Sequence, residues 1–371
     1  MSDTVTRRSG PDRHAARDAG PSTHLVPGRR RRLPAMSGLP VGGLVITMLA
    51  VGFYYWIGAM VVHRIADDPT FGPSAVAEGE SETLAMATAL IQRETERHHW
   101  VANDPAFLPG RLLSRMAAFQ QGIVGILADT VAAMADQTKQ GDLDILDADS
   151  GRVLWDGLWS RRESDRVAAA VALHEDLRQA AELLASPGDA WILDFSTSFG
   201  RRPSAESQYQ TARNLLNTAN RRLAEGSAAM PDGADVVTAI LDRFLATLDT
   251  ILVAIDTRIA NPDRRIAGLS PGAQYYRAKG QVYAMALILA TLARDHPDRL
   301  GDPALADAWN AALAHLRAAA SLRPLIVSNG ALDALLVPNH WVGQGYVLHR
   351  ATQALSDART RLTLGHRDAR P

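Results

Sequence analysis

After residue 80 the apolar positions of this chain recur at helical steps almost without interruption. Leu112, Met116, Phe119, Ile123, Leu127, Val131 and Met134 alternate steps of four and three, which draws one apolar stripe along a helix spanning 111–138. The strongest pattern is Val237, Leu241, Phe244, Leu248, Ile251, Ile255 and Ile259, a near 3.5-residue repeat that predicts a long bundle helix or a coiled-coil seam over 234–260. Trp341, Leu348, Leu355 and Leu362 follow at steps of seven and predict a last helix over 340–363.

Start and stop signals frame further helices. Ser81 opens a segment ending in "HHW", and Ser160 with Glu163 has the spacing of a capping box before 163–185. Ser204 precedes a helix that Gly226 stops. Ser270-Pro271 and Asp302-Pro303 place proline in the first turn of two helices running to Asp295 and Ser321. Long helices with short joints predict an elongated antiparallel bundle. The 237–259 stripe is assigned to packing within the chain, because several neighbours need the same cover; a coiled-coil homodimer is its other use. The exception to the helical rule is "DLDILDADSGRVLWDG", 142–157, whose short apolar runs flank Asp149-Ser150-Gly151 and suggest one β-hairpin.

One segment is apolar on every side. Val41 to Val62 holds no charge, and about 20 such residues cross the hydrocarbon of a bilayer. Forty residues precede it and it is longer than a signal-peptide core, so it reads as an uncleaved anchor. The tail 1–40 carries eight arginines against three acids, which places the N-terminus in the cytoplasm and the remainder outside, in the periplasm of a two-membrane cell. The tail itself has a disordered composition, 63–80 reads as a linker, 81–364 as the helical domain, and 365–371 as a loose end. The fold class is therefore all-α, with a single N-terminal transmembrane helix before the bundle.

Composition mostly excludes. The chain has 371 residues, 47% hydrophobic and only 6% aromatic. Cysteine is absent, which removes disulfides, thiolate metal sites and thiol nucleophiles. With the tail set aside, 31 of 39 basic and 37 of 40 acidic residues remain, a mild acidity that argues against a nucleic-acid surface. Phosphate-loop, HExxH, GxSxG and SxxK signatures are missing. Counting a calcium loop from Asp147 puts Arg152 and Leu158 where glycine and glutamate belong. Glu94 and His98 share a helical face, but two groups do not hold a metal, and they read as an exposed pair. Glu206 in "SAESQY" resembles the catalytic glutamate of lytic transglycosylases only faintly; in a first helical turn it complements the helix dipole. No catalytic residue, metal or cofactor is assigned.

Two stretches hold the candidate binding residues. In "SPGAQYYRAKGQVYAMALIL", Tyr275, Tyr276, Arg277 and Lys279 crowd a helix start that could receive an anionic headgroup or a glycan; the competing expectation buries the rings and lets the cations snorkel outward. In "RPLIVSNGALDALLVPNHW", Asn329, Asp333, Asn339 and His340 could line a pocket, or they could turn the chain, with Asn339 capping the last helix.

The anchor, "DAWILDF" (189–195), "SAESQYQTARNLL" (204–216), "YYRAKGQVYAMALIL" (275–289) and "RPLIVSNG" with "VPNHWVGQGYVL" together resemble the bacterial family known as domain of unknown function 2333. The resemblance covers the chain from the anchor to about Leu362, with "STSFGRRP" (196–203) as a departure. It implies an inner-membrane, helical protein and brings no catalytic residue. The sequence thus predicts a non-enzymatic scaffold or binding component of the cell envelope, with the bilayer and another envelope protein as partners. An envelope enzyme or a glycan or lipid binder, using 275–279 and 329–340 as one cleft, is the alternative.

Overall fold

The computed structural model describes residues 41–62, 65–103, 115–156, 161–188, 203–230, 233–261, 270–324, 327–330 and 338–368. It is 81% helical, without strands among the described residues. The α-helices are α1 (Val41–Val62), α2 (Glu82–Gln92), α3 (Arg115–Asp156), α4 (Arg161–Leu184), α5 (Ala205–Ala224), α6 (Gly233–Ala260), α7 (Pro271–Asp295), α8 (Pro303–Ser321) and α9 (His340–Asp368). The chain divides into two compact units, 1–51 and 52–371, with the division falling inside α1.

Taken by itself, α1 is a 22-residue helix without a charge, about 33 Å long at the usual rise. Leu44, Ile46, Met48, Leu49, Phe53 and Trp56 are exposed around it. Among the described residues one stretch, Arg115–Lys139, is long and apolar enough to cross a membrane by length and composition, with a mean hydropathy of 1.3, while Gly42–Ile57 within α1 is a shorter apolar stretch. In Arg115–Lys139, 72% of the apolar window is buried among other helices, which is how the core helix of a bundle behaves.

The helix starts follow their capping signals. Ser81, Ser204, Ser270 and Asp302 each accept a hydrogen bond from the backbone N–H three residues on. Gly226 closes α5 with φ of +64°. Ser160 lies outside the described residues, as do the tail 1–40 and the segments 189–195 and 196–202. The hairpin expected at 142–157 is corrected: α3 runs on through Asp156. Leu143, Leu146 and Val153 are separated by steps of three and seven, which suit a helix as well as a strand, and a short apolar run cannot decide between them. The last helix likewise continues to Asp368, past the end expected near 363 and into the supposed loose end.

Packing centres on α3 and α7. α3 lies against α4, α6 and α7, while α7 also meets α2 and α8; α9 packs on both α6 and α8. The 237–259 stripe is spent inside the chain: Val237, Leu241, Phe244, Leu248, Ile251 and Ile255 are buried, with α9 and α3 over them. The α3–α7 crossing is set by two glycines. A Cβ on Gly122 would stand 2.2 Å from the Arg277 carbonyl oxygen, and one on Gly280 would stand 2.1 Å from that of Phe119. Each helix therefore presses its backbone into the gap left by the other's missing side chain.

Substituting Gly280→Ala should therefore destabilise the fold by about 1–3 kcal/mol through forced separation of the two helices. Gly272→Ala, with nothing within 4 Å of its added carbon, should be neutral or stabilising by up to about 1 kcal/mol. Chemical denaturation of the two variants in parallel checks the pair.

Candidate functional site

The polar groups of the interior gather along one face of α7. Tyr276, Lys279 and Tyr283 are spaced by three and four and are all buried. Lys279 is 1% exposed, so its ammonium needs a counter-charge. Asp67, from the segment after α1, supplies it: Lys279 Nζ stands 2.7 Å from Asp67 Oδ2. The same nitrogen donates to the Leu322 carbonyl oxygen at 2.5 Å. Arg323 closes the triad, donating from Nε to Asp67 Oδ2 at 2.9 Å and from Nη2 to Oδ1. Next along the face, Tyr276 donates to the Pro324 carbonyl oxygen at 3.0 Å.

Tyr283 extends the network toward α2. Its hydroxyl donates to the Asp68 carbonyl oxygen at 2.8 Å and accepts from Arg93 Nη1 at 2.8 Å. Arg93 lies over the Phe71 ring, 4.4 Å from its centroid, and donates from Nε to Glu94 at 2.7 Å. A π-helical turn, Arg93–Arg97, ends α2, and within it Arg93, Glu94 and Thr95 are all buried. Gln120 of α3 ties this end down, accepting from Val101 N–H and donating to the carbonyl oxygens of Glu94 and His99. His99 sits at φ +56°, an uncommon place for a residue with a side chain.

The segment 65–71, expected to be part of a linker, is thus a strap against the bundle. Asp67 points inward, Thr70 N–H and Oγ1 both donate to Asp68 Oδ1, and Phe71 N–H donates to the Asp68 carbonyl oxygen, closing a turn. Glu94, expected in an exposed pair with His98, is fully buried; His98 Nδ1 is 3.5 Å from it and Arg93 is its closer partner.

The second stretch of candidates folds around an asparagine pair. Asn329 and Asn339 form an isolated antiparallel bridge. Asn339 Nδ2 donates to Asn329 Oδ1 and to the Gly330 carbonyl oxygen, while its own Oδ1 accepts from Val342 N–H and caps α9. Asn329 Nδ2 donates to the Arg258 carbonyl oxygen. His340 Nδ1 meets Ser328 Oγ at 2.9 Å and accepts from Ser328 N–H. Asp333 lies outside the described residues.

The two candidate stretches do come together. Trp341 packs edge-on against Tyr275 at 5.6 Å, and Gln344 Nε2 donates to the Tyr275 carbonyl oxygen at 3.4 Å. In the first stretch Tyr275, Tyr276 and Lys279 are buried and Arg277 faces outward, while Asn329, Asn339 and His340 of the second are half-buried. The expectation that both cations would snorkel out is therefore corrected for Lys279, which the buried Asp67 holds inside. An open cleft of about 430 Å³ lies elsewhere, bordered by Asp298, Arg299, Asp302, Leu305, Arg361 and Leu364. Its Asp302 is occupied in capping α8, and its Arg361 donates to Asp357. Among the described residues no three His, Cys, Asp or Glu side chains gather to hold a metal ion.

Electrostatics follow the geometry. Burial would raise the Asp67 carboxyl, but hydrogen bonds from Arg323 and Lys279 outweigh it and hold the group below its ordinary value. Burial acts the other way on Lys279 and lowers its ammonium despite Asp67. Glu94 is also depressed: burial opposes its charge, and His98 and Arg93 more than offset that. Burial pushes the Tyr283 hydroxyl up to about 12. The geometry ties Asp67, Lys279 and Arg323 to one another and to backbone carbonyl oxygens, and so joins segments remote in sequence.

Asp67, Arg93 and Arg323 escaped sequence reasoning. One signal was available: every neighbour of Lys279 at three, four and seven residues is Gly, Ala, Val or Tyr, so the lysine lies on a burying face and requires an anion. Which anion, from 212 residues away, no periodicity could say.

Lys279→Met should cost about 3–5 kcal/mol, because it removes the buried partner of the Asp67 carboxylate and leaves it only the largely exposed Arg323. Arg323→Ala, whose side chain is 72% exposed, should cost less than about 1 kcal/mol. Adding Asp67→Asn to Lys279→Met should recover much of the loss, which a double-mutant cycle in urea measures. Asp67 and Glu94 both have depressed values when folded, so their contribution is present above the unfolded carboxylate range, about pH 4, and is lost as pH falls through the folded values. Stability measured against pH should therefore decline in acid below about pH 4, and less steeply in Asp67→Asn.

No protein-family model, curated protein or solved structure matches this chain.

Proposed function

We propose that the protein is a single-pass membrane protein whose helical body serves the bacterial cell envelope as a non-enzymatic binding or scaffold component. The observation that carries this is α1: 22 uncharged residues in one helix, with large apolar side chains exposed around it. Such a surface is costly in water and favourable in lipid. The arginine-rich tail before it favours a cytoplasmic N-terminus and a periplasmic bundle. The resemblance to the domain of unknown function 2333 family, on the motifs quoted above, fits this address.

The non-enzymatic part rests on how the polar interior is used. The buried cations and carboxylates along α7 are bound to one another or to backbone carbonyls, and Asn339 is spent as a cap. The alternative, an enzyme or glycan binder with a cleft at 275–279 and 329–340, needs open side chains there, and Tyr275, Tyr276 and Lys279 are buried. The partners are then the bilayer through 41–62 and another envelope protein, with a homodimer as one form the latter could take.

Alkaline carbonate should leave the protein in the membrane pellet at full length, and a C-terminal alkaline phosphatase fusion should be active. A C-terminal fluorescent reporter lit only in the cytosol, or a trimmed soluble product, would overturn the address. Crosslinking in living cells followed by detergent extraction should yield a defined envelope protein; repeated recovery of the chain alone would remove the scaffold role.

A further inference from the structure

The strap 67–71 meets its groove through a small set of specific contacts. Asp67 enters between Lys279 and Arg323, the Asp68 carbonyl oxygen takes the Tyr283 hydroxyl, and Phe71 lies beneath Arg93. Pro69 and Thr70 remain exposed on the outer side of the turn. The hold is therefore charge, hydrogen bonds and one aromatic ring. When such a segment leaves, Asp67 passes into water and Lys279 keeps only the Leu322 carbonyl oxygen, so the vacated groove holds a cation that calls for another carboxylate.

The groove also has capacity that the strap does not use. Arg93 is 4% exposed, yet its Nη2 is buried without a hydrogen-bond partner, although Nε and Nη1 are both engaged. A buried guanidinium donor left over in an otherwise satisfied network calls for an acceptor. The strap offers none at that place: it presents the face of Phe71 to Arg93.

We propose that 67–71 is a releasable built-in ligand, and that the groove beneath it is a binding site for acidic turns. The recognised chemistry is a carboxylate seated between Lys279 and Arg323, a backbone carbonyl on Tyr283, and an aromatic ring under Arg93 four residues after the carboxylate. A partner carrying one more acceptor near that ring would satisfy Arg93 Nη2 and displace the strap. This deepens the binding role proposed above by naming its partner chemistry. The two stand or fall separately, since a peptide assay on purified protein is indifferent to where the chain resides in the cell.

The test uses the full-length chain and a fluorescein-labelled peptide of residues 65–72. Hydrogen exchange on the unaltered protein should show the amides of 68–72 opening on the order of tenfold or more faster than those of α7, as a local event. The peptide should bind saturably to the Asp67→Ala, Phe71→Ala double variant, and at least about tenfold more weakly to the unaltered chain, whose own strap competes at high effective concentration. Replacing the aspartate or the phenylalanine within the peptide should abolish binding, and added salt should weaken it. Should the double variant lack a cooperative melt, Asp67→Asn with the same peptide takes its place. Strap amides that exchange only at the rate of global unfolding, or a folded variant that ignores the peptide, would overturn the proposal.

Discussion

A lysine within a largely buried helix constrains everything around it. α7 runs through the bundle with buried residues from Ala273 to Leu292, and Lys279 sits among them. An unpaired ammonium there would cost several kcal/mol or lose its proton. The chain answers by bringing Asp67 from before the bundle and the Leu322 carbonyl from after α8 to one nitrogen. Two segments remote in sequence are thereby fixed at one point on α7. Tyr276 and Tyr283, a turn to either side, extend the same fastening to Pro324 and Asp68. A buried pair of this kind adds little net stability over apolar packing, but it penalises any arrangement in which one partner is absent.

The second constraint is the close approach of α3 and α7. Gly122 and Gly280 let the two backbones touch, and that contact lies one residue from Lys279. It sets Phe119 against Tyr283, at 5.8 Å, and holds Gln120 where its amide can bind the carbonyl oxygens at the end of α2. The π-helical turn there shifts the register so that Arg93 and Glu94 both face inward. The basic and aromatic groove under the strap is thus assembled from α2 and α7, with Arg323 at its edge, and the glycine crossing positions the first two.

What could be read beforehand was local. The serine and aspartate caps, the prolines in first turns, Gly226 and the Asn339 cap each depend on neighbours within four residues, and each behaves as its chemistry dictates. The stripe from Val237 to Ile255 also became core, because a 3.5-residue period fixes one face whatever covers it. The hairpin expectation failed at 142–157 because short apolar runs suit either structure. The strap was taken for part of a spacer for a related reason: Asp67, Asp68 and Pro69 have no period to read, and their order comes from side chains on α7.

The sequence by itself determined the uncharged 22-residue segment, the helices, most of their ends and their buried faces, since these arise from contacts within a turn or two of the chain. The tertiary structure alone decided which helix crosses which, that Glu94 and Lys279 are buried, and that 65–71 closes over α7. Those outcomes depend on charges and backbone surfaces meeting across about two hundred residues, and a buried charge finds its partner through space rather than along the chain.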